Sequence, residues 1–174
     1  MLDTALMADI SHAVSNPFDQ VLRQREAQVL RTAFRILGNW ADAEDVAQEA
    51  FLRLHRHGLG FPNEAAAGAW LYRVTVNLCL DRTRAAKPSQ ELPELSSPEP
   101  SAEESVLRDE RKRRLMAALA CLPTKERAAV VLREIEGLST AEVAEALGSS
   151  AVTVRSQVAR GMSRLRAILS GEAV

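Results

Sequence analysis

Residues 138–160 read LSTAEVAEALGSSAVTVRSQVAR, and this stretch spells two short helices joined by a tight turn. Ser139 and Glu142 stand at the S-x-x-E spacing of a capping box, with Leu138 and Val143 placed as a hydrophobic staple around it. Val143, Ala144 and Leu147 make the apolar face of the first helix, and Gly148 ends it because glycine enters the left-handed region at little cost. Ser149 and Ser150 are each suited to cap the second helix, whose inward stripe is Val154, Val158, Gly161 and Leu165. At about 100° per residue, Ser156, Ala159 and Ser163 point the opposite way, flanked by Arg155 and Arg160. A small apolar face behind and hydrogen-bond donors in front is what a DNA-reading helix-turn-helix requires. An ordinary helical hairpin with a solvated basic face fits the same residues.

Composition narrows the setting. A chain of 174 residues allows one or two small domains. An apolar fraction of 47% supports real cores, while 4% aromatic content and eight glycines favour helices over a β-sandwich. The net charge of −1 excludes a general polyanion binder, but charge is distributed by segment. Val152 to Leu169 carries Arg155, Arg160, Arg164 and Arg166 with no acid, enough for a local footprint on phosphates. Cys79 and Cys121 are far apart and outside any C-x-x-C pattern, so each is expected to be a buried, reduced thiol. His55 and His57 are two residues apart on an expected helix and face different ways, a poor zinc pair. With no nucleophile–base pair and no Gly-rich phosphate loop, neither catalytic residues nor a cofactor nor a metal is expected. The N-terminus lacks the basic-then-apolar order of a signal peptide, and no apolar run approaches the roughly 20 residues of a membrane span. The expected location is the cytoplasm, without membrane insertion.

The rest of the chain divides into helical blocks around a linker. Asn16-Pro17 is a helix start, a capping side chain before proline at the first helical position. Phe18, Leu22, Val29 and Ile36 then recur at helical spacing up to Gly38. A second helix is expected over about Asp42–Arg56, with Ala43, Val46, Ala47, Ala50, Phe51 and Leu54 inward. A third is expected over about Ala65–Ala85, with Trp70, Leu71, Val74 and Leu78 inward. From Lys87 to Ser105, four prolines and five glutamates leave little to bury, which reads as an extended acidic tether. Helices over Val106–Leu122 and Thr124–Glu136 then lead into the helix-turn-helix. The expected fold is all-α: an N-terminal helical domain over 16–86, a flexible linker over 87–105, and a C-terminal helical domain over 106–170.

Three ordered motifs carry a resemblance. Asp42-Ala43-Glu44-Asp45-Val46-Ala47-Gln48-Glu49-Ala50-Phe51 resembles the DAEDxxQExF signature of bacterial sigma factors. Trp70-Leu71-Tyr72-Arg73-Val74-Thr75-Val76-Asn77, with Asp81 and Arg84, resembles their WLYRIAxNxxxDxxR helix. Leu122-Pro123 and Gly137–Arg160 resemble their C-terminal LP…GLSxxEIAxxLGxSxGTVKSRLxR block. The size and two-domain plan are similar to the extracytoplasmic-function (ECF) group. The resemblance implies a non-enzymatic subunit that gives core RNA polymerase its promoter specificity, helps to open promoter DNA and is held by an anti-sigma factor.

It also implies roles for particular side chains. Asp45, Gln48 and Glu49, largely off the apolar stripe, would bind core polymerase at the clamp helices of its largest subunit. The loop Phe61-Pro62-Asn63-Glu64 and the helix after it would capture an unstacked base of the minus-ten element. Phe61, Asn63 and Asn77 would supply stacking and edge hydrogen bonds, and Arg73 and Arg84 would track the strand. Thr153, Arg155, Ser156, Gln157, Ala159 and Arg160 would read the minus-thirty-five element. Two departures stand out: Pro62-Asn63 replaces the frequent Arg-Gly, and in the recognition helix Val152 replaces the usual glycine and Gln157 the usual basic residue. A stand-alone helix-turn-helix regulator would leave the first two motifs unexplained. A sigma mimic that only sequesters an anti-sigma factor would have no need of Arg155 and Arg160.

Overall fold

The fold is taken from a computed structural model that describes residues 17–57, 60–85 and 103–171, with side-chain surroundings over 25–57, 60–85 and 109–171. The cap expected at Asn16, the side chains of Phe18 and Leu22, and residues 87–102 of the expected tether lie outside the described residues. Among the described residues every regular element is helical, in agreement with the all-α expectation.

Three helices form the N-terminal half: α1 Pro17–Leu37, α2 Trp40–His57 and α3 Glu64–Ala85. Gly38 ends α1 at φ 78°, a conformation that disfavours any residue with a Cβ. The Asn39 side chain then accepts from the Asp42 amide and starts α2 two residues before the expected position. Phe34 and Trp40 stack across this corner with centroids 4.2 Å apart. The expected α2 stripe is confirmed at Ala43, Val46, Ala47, Ala50 and Leu54, whereas Phe51 sits half-buried at its edge. Val29, Ala47, Ala50, Leu54 and Leu71 close a small core, with Phe61 and Trp70 packed against it. Truncating Leu54 there would cost about 2–5 kcal/mol.

The helix α3 differs from its expected orientation. Leu71 is buried as expected, but Trp70, Val74 and Leu78 are only half-buried. A second face made of Tyr72, Val76, Cys79 and Leu80 is fully covered. The reason is that α3 is packed from two sides, by α1 and α2 and by a helix of the C-terminal half.

That half consists of α4 Glu103–Ala120, α5 Thr124–Val130, a π-helical turn Val131–Ile135, α6 Thr140–Leu147 and α7 Ala151–Ser170. Helix α4 starts at Glu103, so the last residues expected in the tether are helical. The helix expected to run regularly to Glu136 widens instead, and the Glu136 amide donates to the Val131 carbonyl at 2.9 Å. Gly161 lets α7 approach α5 closely, since a Cβ there would lie 2.6 Å from Val130 Cγ2.

The two halves share one core. Tyr72, Val76, Cys79 and Leu80 belong to the same buried cluster as Leu119, Leu122, Val131, Leu132 and Val143. Polar contacts cross the same boundary. The Glu136 carboxylate, 5% exposed, accepts from Arg35 at 2.6 Å, the Tyr72 hydroxyl at 3.2 Å and Gln28 at 3.3 Å. Burial, and then the charge of Glu136, raise the Tyr72 phenol above its ordinary pKa. Arg127 donates to the carbonyls of Ile36, Ala120 and Leu122, and its burial lowers its pKa. Cys79 is buried as expected, but Cys121 is exposed, because it follows the end of α4 on the outer side of a turn.

Candidate nucleic-acid interface

The helix-turn-helix is set by local bonds three residues apart. Ser139 Oγ accepts from the Glu142 amide at 3.2 Å, and Glu142 accepts from the Ser139 amide at 2.7 Å, a complete capping box. These hydrogen bonds from Ser139 hold the Glu142 carboxyl below the usual carboxylate range. Gly148 takes the left-handed conformation at φ 57° and ends α6. Of the two candidate caps, Ser150 starts α7 by accepting from the Thr153 amide at 3.1 Å, whereas Ser149 donates back to the Leu147 carbonyl.

Helix α7 buries Val154, Gln157, Gly161 and Leu165 and exposes Val152, Thr153, Arg155, Ser156, Ala159 and Arg160. Gln157 corrects the expected set of base-reading residues. It is 6% exposed, and its Oε1 is buried without a hydrogen-bond partner. The inward stripe passes through Val154, Gln157 and Gly161 at i, i+3 and i+7, and Val158 is only half-buried beside it. Extending that spacing from Val154 would have found Gln157 in the sequence.

A residue missed by the sequence reading governs the far side of the helix. Glu126 of α5 is 7% exposed, and its two oxygens face Arg160 Nε at 3.5 Å and Arg164 Nη1 at 2.9 Å. Arg160 therefore leaves the body of the domain beside a buried carboxylate, while Arg155 is exposed at the start of the second turn. No sequence signal marks this pairing, because the partners are more than thirty positions apart.

The residues expected at minus ten lie along α3 and in the turn before it. Phe61 stacks on His57 at 4.7 Å and lies 5.7 Å from Trp70, so one face of its ring is already occupied. Asn63 caps α3, its Oδ1 accepting from the Ala66 amide at 2.9 Å. Arg73, Asn77 and Arg84 are all exposed, and at about 100° per residue they fall within roughly 40° of one line. Arg73 faces Glu145 of α6 at 3.9 Å, and Arg84 pairs with Asp81 at 3.0 Å. Both pairs are solvent-exposed and contribute little to stability.

The expected polymerase-binding residues lie on the outer face of α2. Asp45 is bridged by Arg82 at 2.8 Å, and the same guanidinium reaches Asp42. Partial desolvation opposes the Arg82 charge, but the hydrogen bonds it donates to Asp45 and Asp42 outweigh it and raise the pKa. Glu49 pairs with Arg53 at 2.7 Å, and Gln48 is exposed. Gln48 borders a groove of about 700 Å³ lined also by Glu26, Leu30, Phe51, Leu52 and His55. Leu52, 50% exposed, was missed because it falls off the stripe that the sequence marks as core. Among the described residues no cluster of three or more metal-ligating side chains occurs, and no helix is long and apolar enough to cross a membrane.

Residues 21–88 match the family model for Sigma-70 region 2, and residues 112–165 match that for Sigma-70, region 4. The ECF RNA polymerase sigma factor SigM of Mycobacterium tuberculosis is 38% identical over 152 residues, 87% of this chain and 76% of that protein. The chain belongs to the ECF family of RNA polymerase sigma factors. The RNA polymerase sigma-E factor of Streptomyces avermitilis is 36% identical, covering 90% of this chain and 87% of its own length. SigE of Mycolicibacterium smegmatis is 41% identical over 88% of this chain, which spans 62% of that longer relative. Among solved structures, the sigma factor RpoE of Bartonella quintana, in complex with the anti-sigma factor NepR, shares the fold. Its TM-score is 0.69 over 90% of this chain and 98% of that one, at 19% identity. The ECF sigma factor SigJ of Mycobacterium tuberculosis gives 0.59 at 28% identity, over 83% of this chain and 52% of its own. In this ECF sigma factor the region 2 match encloses α2, α3 and most of α1, and the region 4 match contains the helix-turn-helix.

Proposed function

We propose that this ECF sigma factor binds core RNA polymerase and directs promoter-specific initiation, with α7 on the minus-thirty-five duplex and α3 on the melted minus-ten strand. The observation that carries the reading is the split of α7 into a buried stripe and an exposed face of Thr153, Arg155, Ser156, Ala159 and Arg160. Capped by Ser150, the helix offers its N-terminal half to a major groove, where arginine donates two bonds to guanine O6 and N7. The exposed line of Arg73, Asn77 and Arg84 suits a single strand, with Asn77 free to meet an extruded base. Asp45, Gln48 and Glu49, beside the groove exposing Leu52, form the polymerase-binding face.

Elements about 25 base pairs apart are separated by roughly 85 Å of duplex, whereas here α3 and α6 share a core. The arrangement described is thus the closed form, and promoter engagement requires the halves to separate. A cleft of about 280 Å³ beside Gln28, Tyr72 and Glu136 leaves that boundary incompletely packed. An anti-sigma factor is a partner of the Bartonella relative, and we extend that class of partner to this chain as a holder of the inactive state.

Run-off transcription with core polymerase and this protein, followed by mapping of start sites, tests the reading. Discrete starts dependent on the protein are expected. Tight promoter binding by the protein alone, with no effect on core polymerase, would instead indicate a stand-alone regulator.

A further inference from the structure

Val152 is 65% exposed, the most exposed large hydrophobic among the described residues. It is the second residue of α7. At about 100° per residue it lies on one line with Ser156, Ala159 and Ser163, diametrically opposite the buried Val154, Gln157, Gly161 and Leu165. Its exposure serves no purpose in the fold. Ser150, not Val152, caps the helix, and a β-branched residue in an exposed helical turn is a mildly unfavourable choice. Among the described residues the other exposed large hydrophobics, Leu52, Leu115 and Leu169, lie on other helices or at the far end of α7.

Its neighbours define what it can meet. Thr153 and Arg155 flank it, and Ser156 donates its hydroxyl to the Val152 carbonyl at 3.1 Å, so that its oxygen lone pairs face outward. Ser156 and Ala159 are small, which lets the helix sit close to a groove floor. An apolar group in the first turn of a recognition helix meets one kind of apolar surface in the major groove, the C5 methyl of thymine. We propose that Val152 is a specificity-determining residue whose isopropyl group packs on a thymine methyl in the upstream promoter element. This inference rests on the reading of α7 as the minus-thirty-five helix. It adds a base preference at the position where the family pattern carries glycine and no side chain.

The test uses holoenzyme assembled from core polymerase and this protein on a mapped promoter. Each thymine of the upstream element, on either strand, is replaced in turn by deoxyuridine, which removes the methyl and keeps the pairing. One position is expected to weaken wild-type binding about fourfold, the effect of exposing one methyl-sized apolar group. Val152→Gly, which removes the whole side chain and restores the residue of the family pattern at an exposed site, should bind the thymine and deoxyuridine promoters equally. The proposal is overturned if the element holds no thymine, if no position shows methyl dependence, or if Val152→Gly keeps it. An Arg155→Ala, Arg160→Ala double variant run in parallel separates the two levels. Unchanged binding by that variant would defeat the reading of α7 itself, whereas lost binding without methyl dependence defeats only the role of Val152.

Discussion

Arg35 and Glu136 meet at 2.6 Å across the boundary between the two halves of the molecule, 101 residues apart in the chain. Arg35 lies on α1 and Glu136 just beyond the π-helical turn. The carboxylate is nearly buried, and it also gathers the Tyr72 hydroxyl and Gln28. One side chain thus collects three donors from the N-terminal half.

Glu136→Ala should therefore favour separation of the halves. Removing the acceptor leaves Tyr72, 6% exposed, without its partner, and a stranded buried group costs about 1–3 kcal/mol, or roughly 5- to 150-fold in the closed-to-open ratio. The radius of gyration from small-angle scattering should rise, and protease cutting between Lys87 and Ser105 should accelerate. Identical scattering and cutting for variant and wild type would show that this carboxylate does not hold the closed form.

On the polymerase face, Asp45→Arg with Glu49→Arg should lower affinity for core polymerase by a few kcal/mol, since few residues carry most interface energy. Leu52→Ala should lower it by about 1–2 kcal/mol through lost apolar burial. The side chain is exposed, so thermal stability should hardly change. Competition against labelled wild-type protein for core enzyme measures both. A charge-reversed variant that competes as well as wild type would remove α2 from the interface.

At the promoter, Arg160→Ala should reduce recruitment at the upstream element and relax its base preference, with about 1–3 kcal/mol of discrimination lost. Asn77→Ala should leave closed-complex binding nearly intact and slow strand opening, because the base it meets is exposed only after melting. Permanganate footprinting of one promoter with both variants separates the roles. Loss of duplex binding by Asn77→Ala, with normal melting once bound, would reverse the assignment of the two halves.

The thiols report on the core. Burial pushes the Cys79 thiol up to about 12 from an ordinary 9.0, while Cys121 is exposed. Because the folded pKa is raised, the stabilisation from keeping Cys79 protonated is complete below pH 9 and is lost as pH climbs toward 12. Tyr72 is shifted in the same direction and adds to this alkaline loss. At neutral pH a thiol reagent should modify Cys121 rapidly and Cys79 only at the rate of unfolding or opening. Equal rates for both would mean that α3 is not covered as described. At the acid end, the lowered pKa of Glu142 gives a capping contribution that is present at neutral pH and lost as the carboxyl protonates.

The parts of this protein legible in the sequence are those set by bonds and periods within one element. The Ser139–Glu142 capping box, the left-handed stop at Gly148, the Ser150 cap and the α2 stripe all follow from partners three or four residues apart, and each is present in the structure. The family motifs could be recognised for the same reason, since each is a contiguous run. What only the tertiary structure decided depends on partners that no helical period encodes. Tyr72 and Val76 are buried because a second set of helices covers α3. Glu126 is committed to Arg164 across 38 residues, and Glu136 to Arg35 across 101. Gln157 turned inward because one residue is worth about 100° of helix, so a stripe located correctly but centred one position off assigns a buried side chain to the groove. A helix carries its own period in its sequence, but which of its faces are covered is a property of its neighbours.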